Sequence, residues 1–200
     1  RQLHPRLKRQ NKPAEQFLPP KPIHIANNST IISASNVTLN DSTLNKTANT
    51  VLKNSTLHEN DTVSLSNGSL SSNKSVSATN STVTSNPNVT SVNGSVISDP
   101  KVTTNNGTVN NTLSVNNKNG SVDVAPSIKN SNGSVTTNTT IDNEDGSVIF
   151  KPTLSNANGN LTLASNITNK DKTNLTISPS ITNTNGSSDV TFDLVNRLLR

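Results

Sequence analysis

The sequence predicts an all-β protein folded as a β-solenoid, in which short coils stack along one axis. Three observations lead to this prediction. A 13-residue unit repeats without insertion from residue 28 to 170, and apolar side chains recur at two fixed places in it. Asn, Ser and Thr together supply 91 of the 200 residues. These residue types suit turns and strand edges and are poor formers of helix interiors.

The repeat unit begins Asn-(Gly/Ser)-(Ser/Thr)-Val, and we number this Asn position 1. Position 1 is Asn or Asp in all twelve copies that start at every thirteenth residue from Asn28 to Asp171. Position 4 is Ile, Leu or Val in eleven of them, position 10 is a second apolar place, and one further copy at Asn185 arrives a residue late. The residues between these places vary freely while the period holds. A rigid period of this kind favours the solenoid over its alternative, a largely disordered low-complexity chain.

Thirteen residues suit one small coil with two short strands and two corners. Positions 4 and 10 would then each place one side chain inward, on opposed strands. The Asn-Gly and Asn-Ser corners supply residues that tolerate left-handed backbone angles. With coils about 4.8 Å apart, about twelve of them predict a rod about 55–60 Å long.

Three segments follow from composition. Residues 1–26 form a basic, proline-rich arm, residues 27–184 the repeat array, and residues 185–200 an apolar C-terminal cap. The arm contains a candidate site for a furin-like processing protease, formed by Arg6, Lys8 and Arg9, with cleavage after Arg9. The alternative is that these residues belong to a basic, solvated arm that is not cleaved. Because the chain opens on Arg rather than Met, we expect that a leader has been removed and that the protein is secreted.

Charge and residue content argue against several classes of function. The formal net charge is +5, but residues 23–192 hold nine Lys against ten acidic residues, and no basic stripe is interleaved with aromatics, so nucleic acid is not an expected partner. Cysteine is absent, and no apolar run is long enough to span a membrane. The three His residues share no context, so we expect neither catalysis nor a cofactor. The acidic cluster of Asp142, Glu144 and Asp145 could hold Ca²⁺ weakly.

The motif for N-glycosylation, Asn-x-Ser/Thr, occurs 21 times, nine of them at position 1 of the unit. Asn side chains one coil apart would lie about 5 Å from each other, too close for a glycan on each. We therefore expect partial occupancy at sites outside position 1. The candidates are Asn36, Asn88, Asn110, Asn138, Asn166 and Asn174.

Positions 9 and 11 flank an inward residue and are expected to point outward as a flat face of short polar side chains. The candidate residues for an ice-binding or surface-binding face are Thr38, Thr62, Ser64, Ser75, Ser77, Thr90, Thr153, Ser155 and Thr168. On this pattern, residues 28–170 resemble the short-coil β-solenoid ice-binding proteins, such as those of grasses, which repeat Asn-x-Val-x-Gly. Lys101, Lys129 and Asp142 interrupt the face. The alternative is that Thr and Ser simply suit exposed strands.

The expected function is that of a secreted, extracellular structural or surface-interaction protein, such as a coat, matrix or adhesion repeat. Its partner would be an extracellular surface or matrix component. The alternative is an ice-binding solenoid, and the third possibility is a mucin-like disordered glycoprotein. A rod with weak caps could also associate end to end, because an exposed solenoid edge can pair with another chain.

Overall fold

The computed structural model describes residues 24–170 and 174–197. The predicted processing site at Arg6, Lys8 and Arg9 lies outside the described residues. The described chain is all β, and its strands form two parallel sheets that face each other across one core. This confirms the predicted β-solenoid. Within residues 24–170 and 174–197, no helix has the length and apolar character needed to cross a membrane.

One sheet, here called sheet B, contains seven strands, most of them 11 residues long. In spatial order they follow one another along the solenoid axis, each paired in parallel with the next. They are β2 (Thr30–Asn40), β4 (Thr56–Ser66), β6 (Thr82–Val92), β8 (Thr108–Lys118), β11 (Ser134–Glu144), β14 (Leu161–Lys170) and β17 (Ser188–Arg197).

The opposite sheet, sheet A, begins with four uninterrupted strands and continues with three strands that are each broken in two. The breaks fall at Pro126, Pro152 and Pro179, since proline has no N–H to give to a ladder, although Pro87 and Pro100 occupy the same position of the unit in strands that are not interrupted. The uninterrupted strands are β1 (His24–Asn27), β3 (Thr43–Lys53), β5 (Ser69–Thr79) and β7 (Ser95–Asn105). The broken ones are β9 (Val122–Val124) with β10 (Ser127–Ser131), β12 (Val148–Phe150) with β13 (Thr153–Ala157), and β15 (Leu175–Ile177) with β16 (Ser180–Thr184).

Each coil contains two repeat units, which corrects the expected coil of one unit. Thr62 on β4 pairs with Asn88 on β6, 26 residues later, while the unit between them supplies a strand of sheet A. The solenoid therefore has about seven turns rather than twelve. At about 4.8 Å per coil, its length is about 30 Å instead of the expected 55–60 Å.

The strand length explains this doubling. One unit forms a single long strand, and its inward residues alternate with outward ones at every second position. Positions 4 and 10 are six residues apart and so share the inner face of one strand, as Leu57 and Val63 do on β4. Positions 6, 8 and 12 point inward as well. A single coil thus needs two units to enclose a core.

The corners are built by the residue at position 1. Twelve Asn or Asp residues there have φ between 49° and 59°, the left-handed region. Glycines at position 2 do not have positive φ; they are required by close stacking instead. A Cβ on Gly120 would lie 1.6 Å from the carbonyl oxygen of Gly94 in the preceding coil. The first coils have Ser at this place, and the Ser55 hydroxyl accepts a hydrogen bond from the Ser29 N–H at 3.2 Å.

The core changes character along the axis. In the first coils Lys46 and Lys74 from sheet A point inward and form ion pairs with Asp61 and Glu59 of β4. In the later coils the same space is filled by uncharged side chains, mostly apolar, among them the fully buried Phe150, together with the buried Thr137, Thr139 and Ser165. Two rows of buried Asn run beside this apolar part, such as Asn117–Asn143–Asn169 with amide contacts of 2.8 and 2.9 Å.

The ends of the array differ slightly from the predicted segment boundaries. His24–Asn27, assigned mostly to the arm, pairs with β3 and belongs to the first coil. Residues 188–197 of the predicted cap form the last strand of sheet B, paired with β14. The register shows where the late copy gains its extra residue. Glu144 pairs with Lys170, 26 residues later, but Val148 pairs with Leu175, 27 residues later. The extra residue therefore lies between Lys170 and Leu175.

Candidate functional site

The outer surface of the first six strands of sheet B, here called face B, consists of the side chains at positions 5, 7, 9 and 11 of β2, β4, β6, β8, β11 and β14. All but five of these residues are Thr, Ser or Asn. The exceptions are Ile32, Ala34, His58, Asp142 and Ala164. The seventh strand, β17, lies outside face B and has Asp189, Thr191, Asp193 and Val195 at these positions. Parallel pairing sets the side chains in rows along the axis, about 4.8 Å apart within a row and about 6.6 Å between rows. Face B is therefore a flat, ordered array of small hydroxyl and amide groups with little charge.

The central row of face B shows this order most clearly. It consists of the position 9 side chains of six consecutive coils, in unbroken register. The row is Asn36, Thr62, Asn88, Ser114, Thr140 and Asn166. The Asn residues of the row at position 7 also contact one another, since the Asn86 amide donates to Asn60 Oδ1 at 3.0 Å. This hydrogen bond holds the Asn60 and Asn86 amide groups of the position 7 row in fixed orientations.

The structure divides the predicted face between two opposite surfaces. Thr38, Thr62, Ser64, Thr90 and Thr168 lie on sheet B, whereas the remaining members lie on sheet A: Ser75, Ser77, Thr153 and Ser155. The division follows from the coil of two units, because successive units send positions 9 and 11 to opposite sides. The single continuous face expected from a coil of one unit is thereby replaced by two separate faces.

The predicted interruptions are also divided unequally. Lys101 and Lys129 belong to sheet A, and only Asp142 belongs to face B. Asp142 lies at the margin of face B, where its carboxylate contacts Lys170 Nζ at 3.3 Å. Because the two charges form a pair, they perturb the neutral array less than an isolated charge would.

The outer surface of sheet A, here called face A, carries several charged groups in the middle of the rod. They are Asp99, Lys101, Asp123, Lys129 and Lys151. Burial raises the pKa of Asp99, and the neighbouring Asp123 carboxylate raises it further, while a hydrogen bond from the Ala125 N–H opposes both. Three strands of sheet A are also broken in two, whereas Pro87 at position 8 of β6 leaves that strand of sheet B uninterrupted. The charge and the broken strands distinguish face A from face B.

The corner residues at position 1 also form ladders of side-chain hydrogen bonds from coil to coil. Asn119 donates to Asn93 at 2.9 Å, Asn93 donates to Asn67 at 3.0 Å, and Asn67 donates to Asp41 at 3.0 Å. These side chains are exposed, so the ladder lies along the outer edge of the solenoid. The Asn Nδ2 that would carry a glycan is committed to the ladder at these places.

The candidate glycosylation sites outside position 1 lie almost entirely on one surface. Asn36, Asn88 and Asn166 at position 9 and Asn138 at position 7 are exposed on face B, and Asn110 is half-exposed there. Asn174 is exposed before β15, on the other side of the rod. The accessible candidates therefore compete with face B for the same area.

The candidate acidic cluster is Asp142, Glu144 and Asp145. Within the described ranges 24–170 and 174–197, no group of three or more His, Asp or Glu could hold a metal ion. Glu144 Oε1 contacts Lys118 Nζ at 2.9 Å, and Asp142 contacts Lys170. Two of the three acidic side chains of the predicted cluster, Asp142 and Glu144, are thus paired with lysines of neighbouring coils.

The fold and its two contrasting faces define the chain as a β-solenoid repeat protein with a 26-residue coil. Comparison of the chain with protein-family models, with curated proteins and with solved structures gives no match. The physical character of the solenoid surfaces is therefore the basis on which a function can be proposed.

Proposed function

We propose that this chain is an extracellular, non-enzymatic structural or surface-interaction protein, of the coat, matrix or adhesion kind, that contacts its partner through face B. The observation that carries the proposal is the contrast between the faces. Face B is built from uninterrupted strands and is almost uncharged over six coils, whereas face A is charged and three of its strands are broken in two. A flat array of hydroxyl and amide groups fits a surface that is itself flat and rich in hydroxyl groups.

Several features support this assignment. The groups of face B are already ordered, because every strand of the face except the terminal β2 is held on both sides by its neighbours, so binding costs little further ordering. Many weak contacts repeated at a fixed spacing suit an extended surface better than a single small ligand. The described residues hold no group of three or more His, Asp or Glu that could hold a metal ion for metal-assisted catalysis.

Ice binding is the second candidate, and the spacing of face B favours it. Thr, Ser and Asn at about 4.8 Å along a row can hold an ordered layer of water against a flat sheet. The same rows would also suit a polysaccharide surface. The two candidates share one face and differ in the solid that it recognises.

The experiment uses two matched substitutions. Thr140→Lys puts a charge at the centre of face B, and Thr153→Lys puts the same charge at position 9 on sheet A. Binding is measured as depletion of the protein from solution by crystalline cellulose, by chitin and by ice, with thermal hysteresis as a second readout on ice. We expect the wild-type chain and Thr153→Lys to bind equally, and Thr140→Lys to lose about tenfold in affinity or more, about 1.4 kcal/mol.

The pattern across the solids separates the candidates. Binding to a polysaccharide without thermal hysteresis supports the structural role, and thermal hysteresis supports ice binding. Equal losses for the two variants would mean that face B is not the contact surface. The proposal fails if the folded wild-type chain binds none of the solids.

Glycan mapping of protein from a secretory host provides an independent test of the same face. Full occupancy at Asn88, Asn138 and Asn166 would cover face B and would contradict its use as a contact surface. If face B binds directly, we expect these sites to be largely unoccupied. Mass spectrometry of the glycopeptides measures the occupancy.

A further inference from the structure

The two ends of the solenoid expose strands that lack a neighbour on one side. Among the described residues, nothing pairs with the outer edges of β1 and β2 at one end or of β16 and β17 at the other. At the C-terminal end, the inward residues Val190 and Leu194 are 40% and 46% exposed. Their counterparts one coil earlier, Leu163 and Ile167, are fully buried. This end therefore presents core side chains and free backbone groups together.

We propose that the protein assembles head to tail, with the C-terminal end of one copy stacked on the N-terminal end of the next. The occupant of each open end is a second copy of this chain. The contact would repeat the coil-to-coil contact that the structure already contains, with parallel strands in the same register. This assembly goes beyond the proposed function and does not depend on it.

The residues at the two ends match when equal positions of the unit are aligned. In that register β17 of one copy pairs with β2 of the next, and Leu194 stacks on Val37, both at position 10. Val37 and Leu39 are only half-buried at the N-terminal end, although they pack against the core. On the other sheet β16 faces the four residues of β1. The stacking would bury the exposed apolar groups of both ends.

The corner ladder supports the same register. Within the chain, Asn80 donates to Asn54 at 3.2 Å, Asn158 to Asn132 at 2.8 Å, and Asn185 to Asn158 at 3.2 Å. The donor always belongs to the later coil. The Asn28 side chain of the next copy would continue this row by donating to Asn185 Oδ1. A register shifted by one residue would lose both this contact and the inward direction of Leu194.

The size and symmetry of the contact decide what forms. A ten-residue strand is about 33 Å long, and two sheets about 10 Å apart with their side chains give an end of about 600 Å² per copy. The total, about 1,200 Å², is at the lower limit of specific interfaces. Because the two contacting surfaces are different, the contact leaves an open end at each step and produces filaments rather than closed dimers.

The test uses the full chain made without glycosylation, followed by sedimentation velocity over a range of concentrations and by negative-stain microscopy. We expect particles of constant width whose length grows with concentration. Leu194→Lys blocks the C-terminal end and Val37→Lys blocks the N-terminal end. In both, the lysine lies in the end coil, where its ammonium group can reach solvent. Ser75→Lys, an exposed change in the middle of the rod, is the control.

Each end variant alone should sediment as a monomer, and an equal mixture of the two should form a dimer and nothing larger. Circular dichroism of each variant verifies that it is folded. A wild-type chain that stays monomeric at every concentration would overturn the proposal. So would assemblies that both end variants leave unchanged, since another surface would then make the contact.

Discussion

The first and last coils enclose different interiors within the same backbone. At position 6 of sheet A the side chain is Lys46 near the N-terminus and Phe150 near the C-terminus. At position 6 of sheet B the change is from Glu59 to Leu163. Yet the strands of both regions keep their parallel register. The comparison teaches that the ladders and corners define the coil, while the core can be either charged or apolar.

The two regions should differ in what maintains their stability. The apolar coils gain from burial of large side chains, about 25 cal/mol per Å² of apolar surface. The charged coils bury ion pairs, whose attraction is largely offset by the loss of hydration. We therefore expect the N-terminal coils to open first, which hydrogen exchange of their amides would measure.

The largest expected effect is in the apolar coils. Phe150→Ala removes a fully buried ring and should lower the free energy of unfolding by about 3–5 kcal/mol. The equivalent inward residue two coils earlier is Ser98, and Ser98→Ala should cost less than about 1 kcal/mol. Thermal or denaturant unfolding measures both variants. Equal losses of stability would mean that the two regions are packed alike and would contradict the difference between them.

In the charged coils, removing one residue of a buried ion pair should destabilise the fold strongly, because its partner stays buried with an unpaired charge. Lys74→Met leaves Glu59 buried without its ion-pair partner and should destabilise the chain by about 3 kcal/mol. Adding Glu59→Leu removes the unpaired charge and should recover most of the loss. Chemical denaturation measures the free energy of unfolding of both variants. A double variant no more stable than Lys74→Met would show that the loss of stability does not come from the unpaired Glu59 carboxylate.

The buried Asn rows of the later coils should contribute less. Asn143 donates to Asn169 and accepts from Asn117, so Asn143→Ala leaves both neighbours without a partner. We expect a loss of about 2 kcal/mol in the free energy of unfolding. The matched control is Asn116→Ala on the exposed side of the same sheet, which should change stability by less than about 0.5 kcal/mol. If both variants lose the same amount, the buried row is not a source of stability.

The smallest expected effect concerns Asp99 on face A. Its raised pKa means that the folded state binds a proton more readily than the unfolded state, so the ionised carboxylate destabilises the fold at neutral pH. Asp99→Asn should therefore raise the melting temperature slightly at pH 7. The gain should vanish as the pH falls below about 4, where the wild-type carboxyl is protonated. A gain that is constant with pH would have another cause.

The sequence predicts the fold class because the period, the corner Asn and the inward apolar residues are all local features. The length of the coil is not predicted, for a physical reason. Lys46, Glu59, Asp61 and Lys74 point into the core, but charged residues are almost never buried unless paired, so the sequence alone does not mark positions 6 and 8 as interior. With only positions 4 and 10 assigned to the interior, one short coil accounted for the pattern.

The candidate face was likewise predicted in one respect and not in another. The outward direction of positions 9 and 11 follows from the alternation of side chains along a strand. Their distribution over two faces depends on the number of units in a coil, and so do the neighbours of each residue. The even spacing between positions 4 and 10 was the available signal, because an even separation puts two residues on one side of the same strand.

The most direct test of the 26-residue coil is disulfide formation between engineered cysteine pairs, since the chain has no cysteine of its own. Thr62 and Asn88 lie side by side on adjacent strands, so Thr62→Cys with Asn88→Cys should oxidise readily to an intramolecular bond. Thr62 and Ser75, one unit apart, lie on opposite sheets, and that pair should stay reduced in the folded protein. The reverse result, with a bond between residues 62 and 75 but none between 62 and 88, would show that one unit closes a coil and would contradict this account.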